Sequence, residues 1–302
     1  CIRDRLKPIL YSSIFVRTKI KLSMKNLISF SLLLLVQFGI AQVKVPQSSP
    51  RMVVKQPVGL TEVEIDYSRP SMKGRTIMGD LVPYNEIWRT GANKNTILKF
   101  SDPVRVEGKK LKAGSYALYT IPGPKNWTLY FYTDTDNSGL PKNWDTTKIA
   151  TTLIIPVKER ATSLETFTIS LDNISNDGAM INLSWENIDI PIILEVPSKK
   201  EALKSIVKTM KKKPSAIDYY SAALYYFDEK MDLNQANQWI SKAVKMDDNK
   251  YWMFRLQAKI LGKLNEKQKA IEAAKKSLVL AQKARNPDYV RMNKADIKNW
   301  QE

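Results

Sequence analysis

Arg69, Arg75 and Arg89 stand among glycines and prolines in one stretch of the chain, and Tyr84, Trp88 and Asn93 share that stretch. A guanidinium presents paired N–H groups that match the two oxygens of a carboxylate or a phosphate. Trp88 and Tyr84 supply flat apolar walls, and Asn93 supplies a donor and an acceptor. Brought to one cavity, the six would bind an anionic or sugar-like ligand. A purely architectural use is also open. Arg89 can satisfy carbonyls or pair with Glu86, Trp88 can be core, and Gly91 with Asn93 can form a turn of left-handed backbone. Binding requires the side chains to converge on an open pocket, whereas architecture requires them to be buried and mutually satisfied.

Most other chemistry is absent from the composition. The 302 residues include no His and a single Cys, Cys1. That excludes a Ser-His-Asp triad, a Cys-His pair, His-ligated zinc, an imidazole base and a disulfide framework. Glu62 and Glu64 share a strand face, but nothing in their spacing makes them a hydrolytic pair across a cleft. Asp134, Asp136, Ser138 and Asp145 echo the ligand spacing of a calcium loop. Helical flanks are missing there, and Asp145 stands where a bidentate Glu belongs, so the segment reads as a solvated hairpin loop. The expectation is no catalytic residue, no metal and no cofactor. A non-catalytic reading leads, and an enzyme stays open as its alternative.

The elements that would position these residues begin after an address. Met24 and Lys25 precede an apolar run from Leu27 to Phe38, then Gly39-Ile40-Ala41-Gln42. A positive start, a short apolar stretch and small residues before a cut make a secretory signal over 24–41, cleaved after Ala41. The run is too short to span a bilayer, so no permanent transmembrane segment is expected. Residues 1–23 read as a non-native upstream extension. The mature chain would be exported, to the periplasm or cell envelope.

From 42 to 197 the pattern is that of strands. Thr61, Val63, Ile65 and Tyr67 alternate with Glu62, Glu64 and Asp66, a half-buried strand. Further strands are expected at Val104–Val106, Ser115–Ile121, Trp127–Tyr132, Thr151–Val157, Thr166–Leu171, Met180–Trp185 and Ile190–Val196. Turn residues such as Ile121-Pro122-Gly123 and Asn176-Asp177-Gly178 separate them. Nine or ten short strands with little helix predict an antiparallel β-sandwich.

From 198 to 302 the period becomes helical. Ser198-Lys199-Lys200-Glu201 reads as a capping box, Ser215 to Asp218 as a second, and Asn286-Pro287 opens the last helix. A 34-residue offset aligns Ala236 with Ala270, Ala243 with Ser277 and Met246 with Leu280. Small residues at such a period resemble the tetratricopeptide repeat. The fold class is therefore α+β in two segregated domains, a β-sandwich over 42–197 and an all-α tetratricopeptide-like array over 198–302.

The string Tyr67-Ser68-Arg69-Pro70-Ser71-Met72-Lys73-Gly74-Arg75 leads to Leu81-Val82-Pro83-Tyr84 and Trp88-Arg89-Thr90-Gly91-Ala92-Asn93. With Ala113-Gly114-Ser115-Tyr116 to Ile121-Pro122-Gly123, this resembles a family of exported bacterial proteins known as domain of unknown function 2911. The likeness runs from about Gln56 to Pro191, with Asp80 standing where a second Gly is expected. What the resemblance implies is a sheet-built exported domain, often followed by helical repeats, and no reaction.

Charge separates the two halves. Residues 42–197 carry 18 basic and 17 acidic side chains, and residues 198–302 carry 23 and 12. The excess, mostly Lys, belongs to the helices. The compartment and the lack of a recognised module argue against nucleic acid. A protein partner through the helical region, or an anionic envelope component, fits the excess.

Overall fold

The structure, a computed structural model, describes residues 45–302. The signal at 24–41 and the extension at 1–23 lie outside the described residues. Ten strands and six helices occur among the described residues, in that order along the chain.

The strands are β1 (Arg51–Val58), β2 (Thr61–Ser68), β3 (Thr96–Phe100), β4 (Val104–Val106), β5 (Lys109–Leu111), β6 (Gly114–Ile121), β7 (Asn126–Tyr132), β8 (Ile149–Pro156), β9 (Lys158–Asp172) and β10 (Gly178–Glu195). They form two antiparallel sheets, ordered β1-β2-β3-β6-β7-β8 and β5-β4-β10-β9. In β2 the alternation holds: Thr61, Val63, Ile65 and Tyr67 are buried, and Glu62, Glu64 and Asp66 are more exposed. Both sheets turn such faces into one core. Ile65, Leu98, Leu118, Trp127 and Phe131 come from the first sheet, and Val106, Ile169, Ile181, Leu183, Trp185 and Ile192 from the second. Tyr67 crosses between them, its hydroxyl accepting from the Ile169 amide at 2.9 Å.

Three expectations need correction here. The expected strands Met180–Trp185 and Ile190–Val196 are one strand, β10, which ends a residue earlier, at Glu195. Register shifts around Glu186, whose φ is +52°, absorb the irregular stretch that reads as a break. Such bulges keep a strand continuous while re-aiming its side chains. The segment from Asp134 to Asp145 lies in the hairpin connection between β7 and β8, as expected, but it is only partly solvated. It lays Trp144 on the outer face of the first sheet, stacked on Tyr132 at 4.8 Å and edge-on to Tyr119. Strand β6 is consequently buried on both faces. Third, Asp80 has no left-handed backbone, while Gly79 beside it has φ +88°, so the turn needs no second Gly.

The helices are α1 (Ser198–Met210), α2 (Ala216–Asp228), α3 (Leu233–Met246), α4 (Tyr251–Lys263), α5 (Lys267–Lys283) and α6 (Pro287–Gln301). Ser215 with Asp218 forms the expected capping box, and Asn286 caps α6 ahead of Pro287. Ser198 does not cap α1. Its hydroxyl is buried and accepts from the Leu60 amide at 2.9 Å, tying the helix to the β1–β2 turn. There Gly59 is required, since a Cβ would lie 1.9 Å from Ser198 Oγ.

Consecutive helices pack as hairpins, α2 on α3 and α4 on α5, with α6 against α5. The 34-residue offset is the spacing between the starts of α3 and α5. Ala236, Ala270, Ala243 and Ser277 are all fully buried, while Met246 is 58% exposed and drops out of the pattern. Each half has its own apolar interior, residues 58–196 for the sheets and residues after 215 for the helices. Residues 48–302 nonetheless form one compact unit.

Candidate functional site

The site is built from the connection between β2 and β3. Its first part turns sharply at Lys73 (φ +50°) and Gly74 (φ +74°), closed by the Arg75 amide on Met72 O at 3.1 Å. Two carboxylates from the second sheet hold this loop by its backbone. Glu165 Oε1 accepts from the Lys73 amide at 2.8 Å, and Glu186 accepts from the Ile77 and Met78 amides at 3.2 and 3.0 Å. The left-handed bulge at Glu186 is what aims that carboxylate at the loop.

The second part runs from Trp88 to Asn95. Trp88 exchanges both backbone bonds with Thr120 of β6, at 2.7 and 2.9 Å. Thr90, Gly91 and Asn93 all have left-handed backbone, as the turn reading requires. At Gly91 a Cβ would come within 3.1 Å of Thr96 Oγ1 and 3.2 Å of Ser68 O.

Between the two parts opens a pocket of about 460 Å³. Trp88 and Trp185, stacked at 6.0 Å and 20°, form its indole wall. Lys73, Arg75 and Arg89 line it, with Asn93 and the hydroxyl residues Ser48, Ser49 and Ser71. Among the described residues no Asp or Glu lines it. Among the described residues none of its three cations has an ion-pair partner.

The three arginines of the signature divide by how many of their N–H groups the protein itself uses. Arg69 is fully engaged, through Nε to Phe167 O, Nη2 to Thr168 Oγ1 and Nη1 to Met52 Sδ. It staples the end of β2 to β9 and does not line the pocket. Arg75 gives Nε and Nη2 to Met72 O and Ser71 O, and Nη1 has no partner among the described residues. Among the described residues Arg89 gives only Nη1, to Asn93 O at 3.3 Å, which leaves its Nε–Nη2 edge without a partner there. That edge is a bidentate fork for a carboxylate or phosphate.

Four of the six expected residues thus meet at one pocket: Arg75, Trp88, Arg89 and Asn93. Tyr84 is outside, with its ring against Gly79. Trp88 serves both readings, since it also packs edge-on to Trp127 and Phe167 in the core. Sequence reasoning misses Lys73 and Trp185. Lys73 stands inside the quoted string, so its position between Arg69 and Arg75 is the signal available. Nothing local marks Trp185, which arrives from another sheet.

Two of the four calcium-like residues, Asp134 and Asp145, are otherwise occupied. Asp134 pairs with Lys148 at 2.8 Å, and that ammonium holds its carboxyl below the usual carboxylate range. Asp145 accepts from the Thr147 amide and hydroxyl, capping a short 3-10 turn. No cluster of three or more potential His, Cys, Asp or Glu ligands exists among the described residues.

Comparison with known proteins gives one family. Residues 49–194 match the model described as Protein of unknown function (DUF2911). No curated protein matches the chain.

Proposed function

We propose, from the premise that the sheet region carries the DUF2911 match, that this chain is an exported, non-catalytic binding module. Its pocket takes a small anionic ligand. The observation that carries this is, among the described residues, the free Nε–Nη2 edge of Arg89 in a pocket with two further unpaired cations and no carboxylate. Cations left without acidic partners raise the local concentration of anions, and the Trp88–Trp185 wall adds apolar area for a ring or carbon skeleton. Ser71 Oγ is hydrogen-bonded to Thr166 Oγ1 at 2.9 Å, and among the described residues no hydrogen bond joins a pocket serine hydroxyl to a base that could activate it, which favours binding over the hydrolytic alternative.

A thermal-shift panel of inorganic phosphate, benzoate, sugar acids, neutral sugars and Ca²⁺ tests it. A ligand of the folded state raises the melting temperature. The expected result is a rise with anions that Arg89→Ala abolishes at little cost to the unliganded melt. Equal shifts in wild type and variant would sink it. Export rests on residues 24–41. Expression from Met24 should yield a mature chain starting at Gln42 outside the cytoplasm, and full retention inside would overturn that part.

A second reading concerns the helices. Lys200, Lys204, Lys208 and Lys211 are exposed along one face of α1 and its exit, around Val207, which is 52% exposed. Among these only Lys204 has an ion pair, with Glu201 at 3.7 Å. Such a face suits an anionic envelope surface or an acidic partner protein, and binding should weaken with salt.

A further inference from the structure

The pocket's cations come from two separate segments, and their neighbours treat them differently. Lys73 and Arg75 sit on the turn after β2, and Arg89 follows the strand-like residue Trp88. Glu165 and Glu186 reach the first segment, where Glu165 Oε1 and both Glu186 oxygens accept from backbone amides and neither carboxylate forms an ion pair with Lys73 or Arg75. The loop is held in place by carboxylates while the Lys73 ammonium and the Arg75 guanidinium keep their charge toward a ligand. Arg75 uses its side-on fork to close its own turn, so it offers Nη1 as an end-on donor. Arg89 keeps its side-on fork. The result is two unlike poles, one bidentate and one made of two point-like donors.

From this we infer that the ligand carries two separated anionic groups, the first on the Arg89 fork and the second at the Lys73–Arg75 turn, with its body against the Trp88–Trp185 wall. This rests on the anion-binding reading above and deepens it. A ligand with one anionic group would leave the second pole facing solvent. A second group adds attraction to both Lys73 and Arg75. Because these two are exposed, the gain is moderate and salt-sensitive, about tenfold in affinity at low salt. Carboxylates and phosphates share the required chemistry.

The test is isothermal titration of the full chain with terephthalate and with its monoamide. The two have the same ring and shape and differ by one charge. Inorganic phosphate is a third titrant. Expected is binding of terephthalate about tenfold tighter than the monoamide, the ratio falling as salt rises. Lys73→Asn and Arg75→Gln should each shrink that ratio. Asn tolerates the left-handed backbone at position 73, and near-UV circular dichroism checks that Arg75→Gln keeps the fold. Arg89→Lys keeps charge but loses the fork and should weaken both titrants alike. Equal affinities of the two organic titrants for wild type would overturn the two-pole inference and leave the anion reading standing. Binding of none of the three would bring down both.

Discussion

At the scale of single residues, partner atoms sort side chains that composition treats alike. Arg69, Arg75 and Arg89 are the same chemical group in the same signature, yet only Arg69 has every nitrogen engaged by the protein. Arg69→Ala should therefore cost about 1–3 kcal/mol in urea unfolding, because Phe167 O and Thr168 Oγ1 lose a charged donor. Arg89→Ala should change stability by less than about 0.5 kcal/mol. Gly91→Ala should cost about 1–3 kcal/mol, as a methyl at φ +145° meets Thr96 and Ser68. Asp189 gives the pH dependence. Burial pulls its carboxyl up, but hydrogen bonds from Ser184, Arg160 and Asn182 outweigh that and hold it below the usual range. A carboxyl lowered on folding contributes stability that is complete at neutral pH. That contribution is lost as pH falls from the ordinary carboxylate value through the folded one. Asp189→Asn should flatten the acid limb of a stability–pH curve, and an unchanged limb would contradict this.

At the scale of elements, a residue's local pattern and its actual partner can diverge. Ser198-Lys199-Lys200-Glu201 has the letters of a capping box, but the Ser198 hydroxyl faces Leu60 across the chain. Ser198→Ala should lower stability by about 1 kcal/mol by removing the acceptor of the Leu60 amide. Glu201→Ala should be within about 0.5 kcal/mol of wild type, whereas a capping box would make both costly. Denaturant melts of the two variants decide it. Ser215 keeps its box because Asp218 is its nearest partner and no sheet edge competes. The same contrast separates the strands. The alternation in β2 is read correctly because one face meets a core. β1, β3 and β5 go unnamed in the sequence, β1 because it is an edge strand whose residues are mostly exposed and β5 because Lys109 and Lys110 read as part of a turn. Gly262 in α4 shows the helical counterpart. A Cβ there would lie 2.7 Å from the Trp300 ring, so Gly262→Ala should displace α6 and increase Trp300 fluorescence exposure to quenchers.

For the whole molecule, two interiors meet at a small polar junction. Asn176 donates to Glu229 at 2.7 Å, and Leu60 to Ser198, while the apolar clusters stay in their own halves. Expressed alone, residues 42–197 should melt cooperatively, since a chain of that length buries enough surface to fold. Residues 198–302, with two repeat-like hairpins and flanking helices, should melt lower. A non-cooperative melt of the sheet fragment would refute separate domains. Periodicity alone determines that strands precede helices, since it records which residues face an interior and is written locally in the chain. Composition likewise removes imidazole and disulfide chemistry, because absent residues cannot be supplied by folding. The sequence also points to the stretch that holds four pocket residues. Only the tertiary structure decides which arginines are free and that Trp185 completes the wall. Only there do Glu165 and Glu186 bind the loop backbone and leave Lys73 and Arg75 unpaired. Those facts depend on atoms some hundred residues apart meeting within hydrogen-bond distance, and no local pattern encodes such a meeting.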